Sequence, residues 1–325
     1  MKSEILKILQ EQGGYVSGQE LCTRFGVSRT AVWKAVNQLK NEGFQIEAVP
    51  NRGYHLAKIP DRLSEDVLAG LMETQWAGKT LYCLDTIDST NNYAKRLGEE
   101  GAPDGTLVTA ECQEAGKGRR GREWKTPRGS AIAMTLLLRP QIGPERASML
   151  TLVMGLAVAQ ACRELFGLDV GIKWPNDVVI GGKKICGILT EMSAEMLNIH
   201  YLVIGTGINV NMTEFPEELQ KTATSLKLET GREIRRADVV CSCMKWFEKD
   251  YGIFLKYKDL TGLKEIYEAF LVNKDEKVCV LEPGHEYTGT ALGINEKGEL
   301  LVETEEDIKE VYAGEVSVRG IYGYV

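Results

Sequence analysis

Apolar positions in the first forty residues recur at helical spacing. Ile5, Leu6, Ile8 and Leu9 share one face of residues 1–12, and Gly13-Gly14 ends that run. Ser17, with Glu20 three residues on, predicts a capping box that opens a short second helix, closed at Phe25-Gly26-Val27. Ser28 predicts the cap of a third helix over 29–41, with Ala31, Val32, Ala35, Val36 and Leu39 inward. Two short strands, 45–49 and 53–56, flank a Pro50-Asn51-Arg52-Gly53 turn. From residue 80 short apolar strands alternate with helices. Strands are expected at 80–85, 107–110, 130–138, 171–173, 178–180, 184–191 and 201–210, with Gly181-Gly182 turning the hairpin. A helix over 91–98 follows Asp88-Ser89-Thr90-Asn91-Asn92, a run dense in N-cap residues, and an apolar run predicts a long buried helix over 146–166. Four more strands, 278–281, 287–292, 300–302 and 308–312, alternate with turns at Pro283-Gly284 and Asn295-Glu296-Lys297-Gly298, which predicts a small SH3-like barrel. Domain boundaries are therefore expected at 1–60, 65–272 and 273–325, with 59–62 as a linker.

Charge divides along the same boundary. Residues 1–58 carry eight Lys and Arg against five acids, a net +3, so the rest of a chain of net −7 carries −10. A basic head on an acidic body places a polyanion at the head alone. Helix, tight turn and capped helix form a helix-turn-helix layout, whose second helix enters the major groove. Arg29, Thr30, Trp33, Lys34 and Asn37 lie on its outer face behind Ser28, and the following hairpin resembles a wing carrying Arg52 at its tip. These seven are the candidate DNA contacts. A three-helix packing module that binds no DNA is the competing reading.

A hydrophobic content of 43% and a charged content of 26% describe a soluble globular chain. Eight scattered cysteines without a leader peptide imply reduced thiols in the cytoplasm, and their spacing implies no structural metal. The longest apolar run, 149–162, contains Gln160 and is too short to span a bilayer, so no membrane partner is expected.

The densest chemistry lies in Gln113-Glu114-Ala115-Gly116-Lys117-Gly118-Arg119-Arg120-Gly121-Arg122-Glu123-Trp124. Three glycines alternate with four cations, so backbone amides and positive charge can close together around an anion. The letters contain G-x-G-x-x-G, but the polar lead-in and the cation- and proline-containing exit do not fit a strand–loop–helix dinucleotide site.

Five motifs occur in order: Asp88-Ser89-Thr90-Asn91; Gly116-x-Gly118-Arg119-Arg120-Gly121-Arg122-x-Trp124; Lys173-Trp174-Pro175-Asn176-Asp177; Lys184-x-x-Gly187-Ile188-Leu189; and Gly205-x-Gly207-Ile208-Asn209. Together they resemble the biotin protein ligases. With the winged head, nearly the whole chain is similar to the members that also repress the biotin operon. The resemblance implies an α+β chain: a winged helix domain, a central mixed-sheet ligase domain of class II synthetase type and a C-terminal SH3-like β-barrel.

It also implies a two-step reaction, in which biotin and ATP, with Mg2+, give biotinyl-5′-AMP and pyrophosphate. A lysine of a biotin carboxyl carrier protein then takes the biotinyl group. By position in the motifs, Ser89, Thr90, Asn91, Gln113, Lys117, Gly118, Arg119 and Lys184 are implied as biotin contacts. Arg120, Arg122, Trp124, Asn176, Asn209 and Arg319 are implied on the nucleotide side, and Lys184, Arg119 and Asp177 as catalytic. Trp174 joins Trp124 as a candidate ligand wall, with a plain core position beside Pro175 as the competing reading. Many members of the family carry arginine where this chain has Lys117, which matters only if that side chain grips phosphate as a fork. Operator DNA and a homodimer loaded with biotinyl-5′-AMP complete the implied partners. A lipoate- or octanoate-type acyl ligase and a non-enzymatic biotin-sensing repressor are the alternatives.

Overall fold

The computed structural model describes the chain except residues 197, 283–284, 315 and 321–323. Its head contains helices α1 (Lys2–Gln12), α2 (Gly18–Phe25) and α3 (Arg29–Asn41), then a hairpin of β1 (Gln45–Val49) and β2 (Gly53–Lys58). Ser17 Oγ accepts from Glu20 N at 3.0 Å and Ser28 Oγ from Ala31 N at 3.3 Å, so both expected caps form. The capping box is half made, because the Glu20 carboxylate accepts from Gln12 Nε2 instead. Val32, Ala35, Val36 and Leu39 are buried, whereas Ala31, expected inward, is half-buried beside the cap. Gly53 is required at its place: a Cβ there would lie 2.0 Å from Val16 O, where the hairpin hydrogen-bonds back to the α1–α2 connection.

The expected linker at 59–62 is not a free tether. Asp61 accepts from the backbone N and Nε of Arg236 at 2.8 and 3.0 Å, and from Asn211 Nδ2. Arg236 is fully buried, and its guanidinium also reaches Glu111 Oε2 at 2.8 Å and the Ala131 carbonyl. Leu63 N donates to the other Glu111 oxygen at 2.7 Å. A buried guanidinium must be paired on several sides, and here the pairing joins the linker to the body. Helix α4 (Glu65–Leu71) then packs on α1, tied by Lys2 Nζ and Ser3 Oγ to Asp66.

The body is a seven-stranded sheet in the order β3-β4-β5-β9-β8-β7-β6, parallel between β3 and β4 and antiparallel elsewhere. Its strands are β3 (Leu81–Ile87), β4 (Thr106–Gln113), β5 (Ala131–Leu138), β6 (Val170–Lys173), β7 (Asp177–Ile180), β8 (Lys183–Glu195) and β9 (Asn198–Asn209). Helix α5 (Thr90–Glu99) covers one face. The other carries α6 (Met149–Phe166), then, beyond the short α7 (Leu226–Thr230), α8 (Arg236–Tyr257). Strand alternation separates the two cores. Ile132, Met134, Leu136, Leu202, Ile204 and Ile208 join the α6–α8 side, while Leu137, Tyr201 and Val203 join Ala94 and Leu97 of α5.

With its preceding turn, the α6 segment 144–166 is long and apolar enough to cross a membrane, contrary to the length argument from 149–162. It is a core helix for a different reason: it is enclosed between the sheet and α8, which also explains why it is apolar all round. Helix α8 has no counterpart among the sequence expectations, although Val240, Cys243, Phe247, Tyr251 and Phe254 recur at helical spacing.

After α9 (Lys264–Glu268) come β10 (Lys277–Glu282), β11 (His285–Ile294), β12 (Leu300–Glu303), β13 (Ile308–Val311) and β14 (Ser317–Gly320). They form one antiparallel sheet in the order β13-β12-β11-β10-β14. Four of these strands were expected; β14 adds the fifth. The turn expected at Pro283-Gly284 lies outside the described residues.

Candidate active site

The face of the sheet that carries α5 is hollowed beyond that helix's N-terminus. Ala133 on β5, Gly187 on β8 and Gly205 and Gly207 on β9 put almost no side chain there. The hollow is shaped for particular neighbours. A Cβ on Gly205 would meet Asn91 Oδ1 at 2.1 Å, and one on Gly207 would meet Trp124 Cε2 at 2.3 Å. Overpacking of this kind costs about 1–3 kcal/mol. Gly207→Ala is expected to lower the urea midpoint accordingly; an unchanged midpoint would mean that Trp124 does not rest on β9.

The walls hold all eight residues expected at biotin: Ser89, Thr90, Asn91, Gln113, Lys117, Gly118, Arg119 and Lys184. Trp124 and Asn176 join them. Gln113 Oε1 accepts from Thr90 N at 2.9 Å and Thr90 Oγ1 at 3.0 Å, and Gln113 Nε2 donates to Thr126 Oγ1. Thr135 Oγ1 lies 2.8 Å from Thr90 Oγ1 and 2.7 Å from Asn91 Oδ1. Asn91 Nδ2 donates to Glu191, which also holds Lys95 at 2.8 Å. Lys95 and Asn91 together keep the Glu191 carboxyl below its ordinary range against the opposing effect of burial.

Ser89 is the N-cap of α5 and is buried, yet its side chain makes no cap hydrogen bond. Capping alone therefore does not account for it. Among the described residues, Trp124 Nε1 and Thr206 Oγ1, both on the hollow, are buried without a hydrogen-bond partner. Unmet polar groups around a hollow fit a polar ligand.

The glycine–arginine loop closes on itself: Gly118 N donates to Arg122 O at 2.7 Å and Trp124 N to Gly116 O at 2.8 Å. At its tip Arg120 has φ +57°. Arg119 turns inward and is desolvated; its Nη1 donates to Asn176 Oδ1 at 2.7 Å, and its Nη2 to the carbonyls of Gly314 and Val316. The loop is thereby fastened to the C-terminal sheet. Lys117 is exposed, with Nζ 3.1 Å from Asn92 Oδ1.

Lys184, on β8, lines the hollow, whereas Asp177, on β7, stands behind it without lining it. Asp177 Oδ1 takes Lys184 Nζ at 2.6 Å and Asn176 Nδ2 at 3.1 Å. Lys184 Nζ also lies 5.5 Å from the Trp124 ring centroid. Burial pushes the Lys173 ammonium down to about 8, opposed by Asp177 and aided by Lys184, Arg319 and Arg122.

Some expected residues do not line the hollow. Arg120 and Arg122 are exposed on the loop, Arg319 lies on β14, and Asn209 is buried with Nδ2 on the Thr224 carbonyl. Trp174 is corrected from ligand wall to core: it is 1% exposed, its N bonds Asn273 Oδ1 and its Nε1 the Gly298 carbonyl, anchoring the C-terminal sheet. In the head, Arg29, Thr30, Trp33 and Lys34 are exposed on α3, Asn37 is half-buried, and Ser28 serves as the cap. Arg52 stacks 4.5 Å over the Tyr15 ring.

Sequence reasoning missed Thr135, Glu191, Thr126 and Tyr324. Thr135 was accessible from strand alternation, since it shares a face with Ala133 beside motif residues. Glu191 and Tyr324 carry no local signal; they act across 100 and 147 residues of chain.

Residues 83–209 match the biotin/lipoate A/B protein ligase family, residues 2–55 an HTH domain, and residues 275–319 the biotin protein ligase C terminal domain. The chain is similar to biotin protein ligase from Aquifex aeolicus, solved in complex with biotin and ATP. The identity is 35% and the TM-score 0.66, covering 74% of this chain and 99% of that one. It is 31% identical to the bifunctional ligase/repressor BirA of Escherichia coli over 96% of this chain and 95% of the relative. It is 38% identical to the bifunctional ligase/repressor BirA of Bacillus subtilis over 98% of both. The five motifs meet in one hollow behind a helix-turn-helix head, and the chain belongs to the biotin protein ligases, in their bifunctional ligase/repressor group.

Proposed function

We propose that this protein is an ATP-dependent biotin ligase that forms biotinyl-5′-AMP and transfers biotin to a lysine of a biotin carboxyl carrier protein. Loaded with that intermediate, it pairs as a homodimer and represses biotin genes at operator DNA in the cytoplasm. The observation that carries the reading is the meeting of separated motif residues, Ser89 to Asn91, Gln113, Lys117 to Arg119, Asn176 and Lys184, around one glycine-floored hollow. We read the central fold as class II synthetase-like and the C-terminal sheet as an SH3-like barrel.

In the first step a biotin carboxylate oxygen attacks the α-phosphorus of ATP and pyrophosphate leaves. Two anions must meet, so the step needs cations already in place. Lys184 supplies one from the wall, and Arg119 another from the loop. Arg120, Arg122 and Arg319 serve the outer phosphates, and Trp124 and Asn176 the nucleoside. Ser89, Thr90 and Gln113 suit the ureido group, which both donates and accepts. In the second step a neutral lysine amine attacks the acyl carbon, loses a proton and displaces AMP. Both oxygens of Asp177 already accept from donors, so we assign it to orient Lys184 rather than to take that proton.

Magnesium, when bound with ATP, shields phosphate charge. Asp177 and Glu191, the carboxylates that contact the lining residues Lys184, Asn176 and Asn91, are engaged by these and by Lys95. This donor set fits an ion held by phosphate oxygens and water. One helix-turn-helix reads a half-site, so a dimer suits a palindromic operator.

Incubation with biotin, ATP, Mg2+ and a carrier domain should add one biotinyl group to the carrier, read by intact mass. An unchanged carrier mass counts against the reading. Arg119→Gly removes the contacts to Asn176, Gly314 and Val316 that hold the loop shut. Biotinylation of a bystander protein should then rise at least about tenfold, since charge-assisted hydrogen bonds of this kind are lost. Bystander labelling at the parent level would remove Arg119 from that role.

A further inference from the structure

The chain's last two residues return to the hollow's cationic wall. The Tyr324 hydroxyl donates to Asp177 Oδ2, the oxygen that Lys184 and Asn176 leave open. Its ring lies 3.7 Å under Lys173 Nζ. Val325 packs beside Gly182 at the β7–β8 turn and against Gly320 at the end of β14. The phenol is half-buried, and its desolvation together with Asp177 holds its proton on, so it stands as a donor and not as an anion.

We propose that Tyr324 is a positioning residue of the adenylating site. Its hydroxyl fixes the Asp177 carboxylate that aims Lys184, and its ring seats the Lys173 ammonium. This deepens the biotin ligase reading and rests on it.

The geometry makes the assignment specific. Without the phenol, Asp177 has an unfilled oxygen and is free to turn about its own side-chain bonds, taking Lys184 and Asn176 with it. Asn176 in turn holds Arg119. One hydroxyl thus braces two cations that the first step uses, from a segment whose described residues do not themselves line the hollow. The sheet's C-terminal partner grips the site at two points, through Arg119 on Gly314 and Val316 and through Tyr324 on Asp177.

The test is ATP–pyrophosphate exchange with biotin in the full-length chain, its Tyr324→Phe variant, Asp177→Asn and the double variant. Tyr324→Phe keeps the ring over Lys173 and deletes only the donor. The expected result is a kcat about tenfold lower, the size of a lost hydrogen bond to a charged group. KM for biotin should stay within about twofold, and the melting temperature should fall by no more than a few degrees. In the Asp177→Asn background the same substitution should cost about twofold or less, because the two side chains act as one unit. A parental kcat in Tyr324→Phe, or losses that multiply independently in the double variant, overturns the assignment. Absence of exchange in the parent chain would instead remove the ligase reading on which it rests.

Discussion

Replacing Lys184 by glutamine is expected to lower biotin-dependent ATP–pyrophosphate exchange by about two to three orders of magnitude, the range seen when one preorganised donor to a developing charge is lost. Lys184 combines partial burial, a 2.6 Å ion pair with Asp177 and a place on the wall of the hollow. Glutamine keeps most of the length and removes the charge. The fold should survive, because Lys184 pairs with a carboxylate that retains Asn176 and Tyr324 as donors. Circular dichroism should therefore be unchanged while exchange collapses. A variant that exchanges within about threefold of the parent would place the necessary cation elsewhere, with Arg119 the next candidate.

The second large effect concerns stability. Arg236→Met is expected to destabilise the protein by about 3–5 kcal/mol, because it leaves Glu111 buried without its partner. The melting temperature should fall by roughly 10 °C on the scaling for chains of this size. Glu111→Gln alone should cost less, since its one remaining oxygen can still accept from both Leu63 N and Arg236 Nη2. The head should be loosened as well, because the variant loses both guanidinium contacts to Asp61 and keeps only the one from its backbone N. Proteolysis near 59–62 then becomes the sensitive readout. A melting temperature within a degree of the parent would show that the clamp is offset by other contacts across the α1–α4 junction.

The site was more legible than the scaffold that holds it. Ser89 to Asn91, Lys117 to Arg119 and Lys184 lie in short motifs at strand ends and helix starts, where backbone geometry dictates residue type locally. Gly205 and Gly207 could be recognised as glycines, but not why: their faces admit Asn91 and Trp124, from segments about 115 and 83 residues away, and only the folded sheet brings them together. Trp174 misled because a tryptophan beside a proline looks the same in sequence whether it walls a ligand or anchors a neighbouring sheet through Asn273 and Gly298. In the head, the pattern resolved α3 and its cap because helix periodicity and Ser28 are local signals. Arg236 was silent, being one more cation near the start of a helix until Asp61 and Glu111 close on it from 175 and 125 residues away. Tyr324 was silent for the same reason.

The central claim is that this hollow activates biotin as its adenylate. ATP–pyrophosphate exchange, measured with biotin, lipoate and octanoate supplied separately in the presence of magnesium, tests it most directly. Exchange with biotin alone is the predicted result. Exchange with lipoate or octanoate would make the protein an acyl ligase of the other branch, and tight biotin binding with no exchange would make it a sensor; either outcome contradicts the account.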